Sequence, residues 1–225
     1  MSQITANHLT NGGSEVDANS YNTASISPGA SRLVLLMVHS GVGGATNTPT
    51  VSGAGMTWTQ IISSFNEVGR VTLFRALSAS PGSGALTIDF AGQTQVNCAW
   101  IIDEFIDVDQ SGTNGSGAII QAGSANLPGG PPDYTGITVT LGAFSNTNNA
   151  TYGALYQNVA TMSVVVGSGF TELGRDTISS ESVQSQWKNS NDTTVDWTWN
   201  SNAARAQALA VEIRAKSTAG FFEIL

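Results

Sequence analysis

The chain has 225 residues, of which 40% are apolar and only 11% charged. This share of apolar residues excludes an extended disordered chain and leaves the surface to neutral polar groups. Serine, threonine and asparagine supply 26, 24 and 17 residues and glycine 25, while the Lys, Glu, Arg and Gln of helical surfaces are scarce, which excludes an all-α fold. Eight basic against sixteen acidic residues give a net charge of −8. That leaves no basic footprint for nucleic acid or an anionic membrane, and no run of 18 apolar residues could span one.

Residues 1–20 are polar and Gly/Asn-rich and read as an N-terminal arm; Met1–His8 has neither the basic cluster nor the apolar core of a secretory leader. Arg32–His39 is a nearly continuous apolar run, the signature of a strand covered on both faces. Val71–Leu77 and Ala85–Phe90 carry β-branched and aromatic residues between Gly/Ser/Pro turns such as Ser80–Gly84. Cys98–Ile106 reads as a strand, and its single cysteine, Cys98, as a small buried hydrophobe. The Gly-, Asn- and Pro-rich stretch Ser111–Pro132 reads as a long surface connection, and Ile137–Leu141 alternates as a strand should. Ala203–Ala210 is ambiguous between helix and strand when taken alone.

The chain also repeats itself. Gly53-Ala-Gly-Met-Thr57 matches Gly167-Ser-Gly-Phe-Thr171, Leu73–Arg75 matches Gln186–Lys188, Thr87–Phe90 matches Thr194–Trp197, and Ala99–Phe105 matches Gln207–Ile213. The order is the same in both halves and the offset drifts only from 114 to 107. This alignment places Ala150–Tyr156 in the role of Leu33–His39 and turns the ambiguous Ala203–Ala210 into a strand. The expected fold is therefore all-β: one β-sandwich of ten to twelve strands over 21–214, jelly-roll or concanavalin-like. Its half-repeats are 31–109 and 150–214, its connection 110–149, and residues 215–225 form an apolar tail.

Residues able to do chemistry are few. Nucleophilic hydrolysis needs a base beside Ser or Cys, and the chain offers only His8, in the polar arm, and His39, at the end of a buried strand where a structural histidine is the commoner case. Gly-x-Ser-x-Gly is absent, zinc ligands do not cluster, and Gly41-Val-Gly-Gly44 lacks the helix and Gly-Lys-Ser/Thr of a phosphate loop. In the acidic run Asp103–Asp109, Glu104 and Asp107 differ in strand parity, so the paired carboxylates of a glycosidase would need the strand to end between them. Glu212 keeps the place of Glu104 in the second repeat while the aspartates are dropped, which reads as a structural position. Asp103, Asp107 and Asp109, with Asp17 or Asp133, could offer oxygen ligands to calcium, but no Asp-x-Asp-x-Asp-Gly loop is present. Trp58, Trp100 and Trp187 read as core. Trp197 and Trp199 share one strand face and form either an exposed platform for a glycan or part of the sandwich interior. No catalytic residue, cofactor or metal ligand is assigned.

Ser31-Arg-Leu-Val-Leu35, Gly55-Met-Thr-Trp58, Leu73-Phe-Arg-Ala76 and Gly169-Phe-Thr-Glu-Leu173 together resemble a β-sandwich domain of phage virion structural proteins and bacterial surface proteins. The resemblance spans most of residues 25–214 and carries over no catalytic residues. It implies a non-enzymatic virion subunit, a phage capsid decoration or tail-associated protein assembled in the host cytoplasm as a homo-oligomer with other virion proteins. Phe221, Phe222, Ile224 and Leu225 either pack on their own domain or form assembly contacts with a neighbour. The alternatives are a carbohydrate-binding adhesion module that engages a host surface glycan through Trp197, Trp199 or the long Ser111–Pro132 loop, and a β-sandwich glycosidase using Glu104 and Asp107.

Overall fold

The computed structural model of the chain describes residues 3–42, 46–66, 69–128, 134–159, 163–178, 181–203 and 205–217. Among these the only helical element is a 3-10 turn at Ser116–Ala118; the rest of the regular structure is strand. The first eight strands are β1 (Thr5–Ser14), β2 (Ser20–Asn22), β3 (Leu33–Gly41), β4 (Thr50–Gly53), β5 (Thr59–Asn66), β6 (Gly69–Leu77), β7 (Leu86–Asp89) and β8 (Asn97–Ile106). The second eight are β9 (Ile119–Leu127), β10 (Tyr134–Thr140), β11 (Ala150–Gln157), β12 (Val164–Val166), β13 (Thr171–Ile178), β14 (Glu181–Lys188), β15 (Thr194–Ala203) and β16 (Ala206–Ile213).

The strands form four antiparallel sheets. The first eight give the orders β1-β8-β3-β6-β5 and β2-β7-β4, and the second eight give β9-β16-β11-β14-β13 and β10-β15-β12. Adding eight to each strand number of the first set produces the second, so the duplication read in the sequence is complete in topology. In each set the first strand pairs with the eighth, the second with the seventh and the third with the sixth. This is a long hairpin wrapped into two sheets, the plan of a jelly roll. The fifth strand pairs with the sixth rather than the fourth, and one sheet of each roll therefore has five strands.

The all-β sandwich class holds, but the expected ten to twelve strands become sixteen. The repeat units run from 5 to 106 and from 119 to 213 rather than 31–109 and 150–214. Thr5–Ser14, read as an arm, is strand β1; Ile119–Leu127, read as connection, is strand β9. Both are edge strands rich in polar and small residues, whose few large apolar side chains do not alternate to announce them. Ala206–Ile213 is a strand, as the repeat requires.

Side-chain alternation sorts the strands into layers. Val34, Leu36 and Val38 of β3 face the β2-β7-β4 sheet and pack with Phe74, Leu86, Ile88, Phe90 and Trp100. Leu33, Leu35 and Met37 point the other way, into a core shared with Tyr152, Ala154 and Tyr156 of β11 and Leu209 and Val211 of β16. On the far side of that second five-stranded sheet, Leu155, Ala208 and Ala210 pack with Ile137, Val195, Trp197 and Trp199. The layers thus run three, five, five and three strands, and the two central sheets are covered on both faces. Every residue of β3 and of β16 is buried, which accounts for the nearly continuous apolar character of β3.

The seam between the two rolls has approximate twofold symmetry. The packing of β1 on β13 is repeated by β9 on β5, and that of β8 on β13 and β14 by β16 on β5 and β6. A self-complementary contact of this kind is the isologous geometry of a symmetric dimer, here made within one chain. Local details repeat as well. Met56 N–H bonds to Gly53 C=O at 3.2 Å and Phe170 N–H to Gly167 C=O at 3.0 Å. Gly55 and Gly169 close these turns at φ 59° and 77°, a region that glycine enters without a Cβ clash. The bulge of β5 between Gln60 and Ile62 recurs in β13 between Glu172 and Gly174.

Candidate functional site

The polar side chains with chemical potential lie at buried positions on the two central sheets. Glu104 of β8 and its repeat mate Glu212 of β16 are both inside the protein. Glu104 accepts hydrogen bonds from the Arg32 guanidinium, from Asn7 Nδ2 at 3.2 Å and from the Gly29 N–H at 3.0 Å. Glu212 accepts from Asn149 Nδ2 at 2.6 Å, Gln121 Nε2 at 2.6 Å, and the Ser145 N–H and hydroxyl at 3.1 and 3.0 Å. Asn7 and Gln121 stand opposite their glutamates at matching register on β1 and β9. Each carboxylate therefore fastens the loop before the third strand of its roll to the first and eighth strands. Saturated by donors and withdrawn from solvent, Glu104 is not placed to transfer a proton to a sugar, which removes the glycosidase pair Glu104–Asp107.

The second group centres on Asp103, fully buried on β8. His8 Nδ1 lies 2.8 Å from Asp103 Oδ1, and the Tyr152 hydroxyl donates to Oδ2 at 3.0 Å from the facing sheet. The other ring nitrogen of His8 lies 2.7 Å from Asn11 Oδ1. With the Asn11 amide presenting its oxygen, both neighbours are acceptors, and the ring satisfies them with both nitrogens protonated. The hydrogen bond to Asp103, opposed by partial burial, raises the His8 pKa above 6.5. Burial, together with the Asp103 charge, pushes the Tyr152 phenol well above its ordinary value. A His–Asp pair suggests a general base, but here Nδ1 faces Asp103 and Nε2 faces Asn11, so neither ring nitrogen is open to a nucleophile.

The third group surrounds His39. This residue is fully buried, as its place in the strand implied, and stacks on Tyr156 with ring centroids 3.5 Å apart and planes 9° from parallel. His39 and Tyr156 occupy equivalent positions of the two repeats and meet face to face across the seam. His39 Nε2 lies 3.3 Å from Glu181 Oε2, and Glu181 also accepts from Asn97 Nδ2 at 2.9 Å and the Tyr156 hydroxyl at 3.0 Å. Burial works to raise the Glu181 pKa, but the approach of His39 and the bonds from Tyr156 and Asn97 outweigh it and hold the carboxyl below its usual range.

The remaining candidates are dispersed. The Asp109 pKa is lowered by Ser111, first through its side chain and then through its N–H, which donates at 2.7 Å, and by the Arg214 guanidinium 3.8 Å away. Asp107 turns the chain after β8 at φ 63°, and its carbonyl accepts from the Lys216 N–H. With Asp103 committed to His8 and Tyr152, these aspartates form no common site; among the described residues no three His, Cys, Asp or Glu side chains gather as metal ligands. Asp133, Phe221, Phe222, Ile224 and Leu225 lie outside the described residues. Cys98 is buried and free in the core of the first roll, where desolvation pushes its thiol far up.

Trp197 and Trp199, the platform considered for a glycan, are only 1% and 4% exposed. They point inward from β15 into the core of the second roll, and the Trp199 indole donates to the Tyr134 carbonyl at 2.7 Å. They offer no ring face to a ligand, so the interior reading replaces the platform. Trp100 is likewise buried, and Trp58 and Trp187 pack against the cores from partly covered positions. The pairing of His8 with Asp103 was not legible in the sequence, because it joins residues 95 positions apart; His8 standing alone in a polar segment gave no signal. The chain matches no protein-family model, and neither curated proteins nor solved structures show significant similarity to it.

Proposed function

We propose that the chain is a non-enzymatic structural subunit of a virus particle, a phage capsid decoration or tail-associated protein that assembles with copies of itself and other virion proteins. The observation that carries this reading is that the reactive side chains are spent inside the body. Asp103, Glu104, Glu181 and Glu212 are tied into networks that hold strands and loops together, which makes a stiff four-layer block. Ser20, Asn22, Thr50, Ser52 and Asp89 are exposed on one outer sheet and Thr138, Thr140 and Thr198 on the other. Such largely neutral surfaces associate through hydrogen bonds that salt screens less than ion pairs.

Light scattering of the full chain at physiological salt, beside a deletion of Phe221–Leu225, tests the proposal. A defined oligomer whose mass falls on deletion, with an unchanged melting temperature, supports it. A monomer at every concentration, identical in both proteins, argues against self-assembly through the tail. The carbohydrate-binding alternative loses its aromatic pair and would rest on loops such as 111–118. It requires a saturable fluorescence response to a host surface polysaccharide.

A further inference from the structure

The two histidines of the chain both lie against the seam between the rolls, each with a carboxylate, Asp103 fully buried and Glu181 partly so, and a tyrosine of β11. The seam's own symmetry provides a comparison for the His8 group. By register, His8, Asp103, Tyr152 and Gly174 of one side correspond to Ala122, Val211, Leu35 and Ile62 of the other. One flank of the seam therefore carries only apolar side chains, Leu35, Val211 and Ile62 packed in the shared core with the exposed Ala122 beside them, while the equivalent flank holds an imidazole, a carboxylate and a phenol. Gly174 makes the room: a Cβ there would stand 2.3 Å from His8 Cε1. The same backbone accepts an apolar filling, so the polar group is not a packing necessity, and burying it costs free energy that the apolar flank avoids.

We propose that His8, Asp103 and Tyr152 form a proton-dependent latch on the seam. The doubly protonated ring of His8 ties β1 to β8 and fixes the Asp103 carboxylate toward Tyr152 of the facing roll; loss of one proton loosens the joint. A neutral imidazole loses its charge attraction to Asp103 and keeps a single N–H, so the contact to Asn11 survives only if that amide turns to donate. The other groups around the ring do not replace that proton. Glu104, next on β8, is held by Arg32 and Asn7. β13 contributes Gly174, with Glu172 and Arg175 bonded to each other at 2.8 Å and Asp176 accepting from the Thr177 N–H. β11 contributes the uncharged Tyr152 hydroxyl, and Asn11 is the partner on β1 itself. Because the folded protein binds this proton more tightly than the unfolded chain, the latch stabilises fully below pH 6.5 and is lost as pH rises through the folded value.

The test is the melting temperature of the full chain at pH 6.5 and 8.5. The wild type should lose about 3 °C or more over this interval, the scale for a chain of this length when roughly 1 kcal/mol is removed. The variant His8→Ala, Asp103→Val, Tyr152→Leu, Gly174→Ile copies the apolar flank onto the polar one and should reduce that loss to half or less. If the fourfold variant does not fold, His8→Gln is read by the same criterion. A cluster that only fills space would shift melting equally at both pH values. Hence a wild type with no loss, or a folded variant that keeps more than half of it, overturns the latch.

Discussion

At the scale of single residues, the buried carboxylates are distinguished by what each would leave behind if removed. Glu212 satisfies Asn149, Gln121 and Ser145 together, and Asn149 is itself 1% exposed. Glu212→Ala strands the buried Asn149 amide, while the exposed Ser145 recovers water, and should cost about 2–3 kcal/mol in urea denaturation. Glu104→Ala should cost less, because the Arg32 side chain, 34% exposed, recovers hydration when its partner is gone. Glu181 adds a pH signature. Its folded pKa lies below the ordinary 4.5 because its donors outweigh burial, so its contribution is present above pH 4.5 and is lost as pH falls through the folded value. Tyr156→Phe deletes one of those donors. It should lower the melting temperature at pH 6 and shrink the fall seen on acidification below pH 4.5.

At the scale of elements, burial decides which strands the sequence could announce. β3 and β8 sit inside the central sheets, and covering on both faces demands apolar runs that can be read directly, whereas β16, interrupted by Gln207 and Glu212, needed the repeat to mark it as a strand. The turn pair Gly53–Gly55 and Gly167–Gly169 was legible because the positive φ of Gly55 and Gly169 calls for glycine in both copies. β1 was hidden for the opposite reason. Its Gly12 and Gly13, which suggest a flexible arm, are sites of close approach: a Cβ at Gly12 would lie 2.9 Å from the Trp100 ring and one at Gly13 2.4 Å from Ile178. Glycine there admits neighbours rather than bends the chain, and composition alone does not separate the two uses. β15 shows the same ambiguity for aromatics, since alternation places Trp197 and Trp199 on one face without saying which face is wet. Their burial makes a clear expectation. Trp197→Ala should cost about 3–5 kcal/mol by denaturant unfolding, whereas Val165→Ala on neighbouring β12, 54% exposed, should change stability by less than about 0.5 kcal/mol.

At the scale of the whole molecule, the question is whether two jelly rolls behave as one. Each has a core of its own between its three- and five-stranded sheets, yet the cluster that joins them holds Leu33, Leu35, Met37, Ile101 and Phe105 of one with Tyr152, Ala154, Leu209 and Val211 of the other. Separating the rolls would expose the inner faces of both five-stranded sheets at once, at about 25 cal/mol per Å² of apolar surface. Asp103 and Glu181 would also lose donors supplied from across the seam, Tyr152 to the one and Asn97 to the other. A lone roll therefore gains little by surviving its partner, and the chain should unfold in one transition despite its internal repeat. Calorimetry near neutral pH should give a van't Hoff enthalpy equal to the calorimetric one, of about 160 kcal/mol for the whole chain at 0.7 kcal/mol per residue. Two independent rolls would instead give a van't Hoff value near half of the total. Met37→Ala, which opens a cavity in the shared cluster alone, distinguishes the cases further: it should lower the single transition as a whole rather than split off an early one.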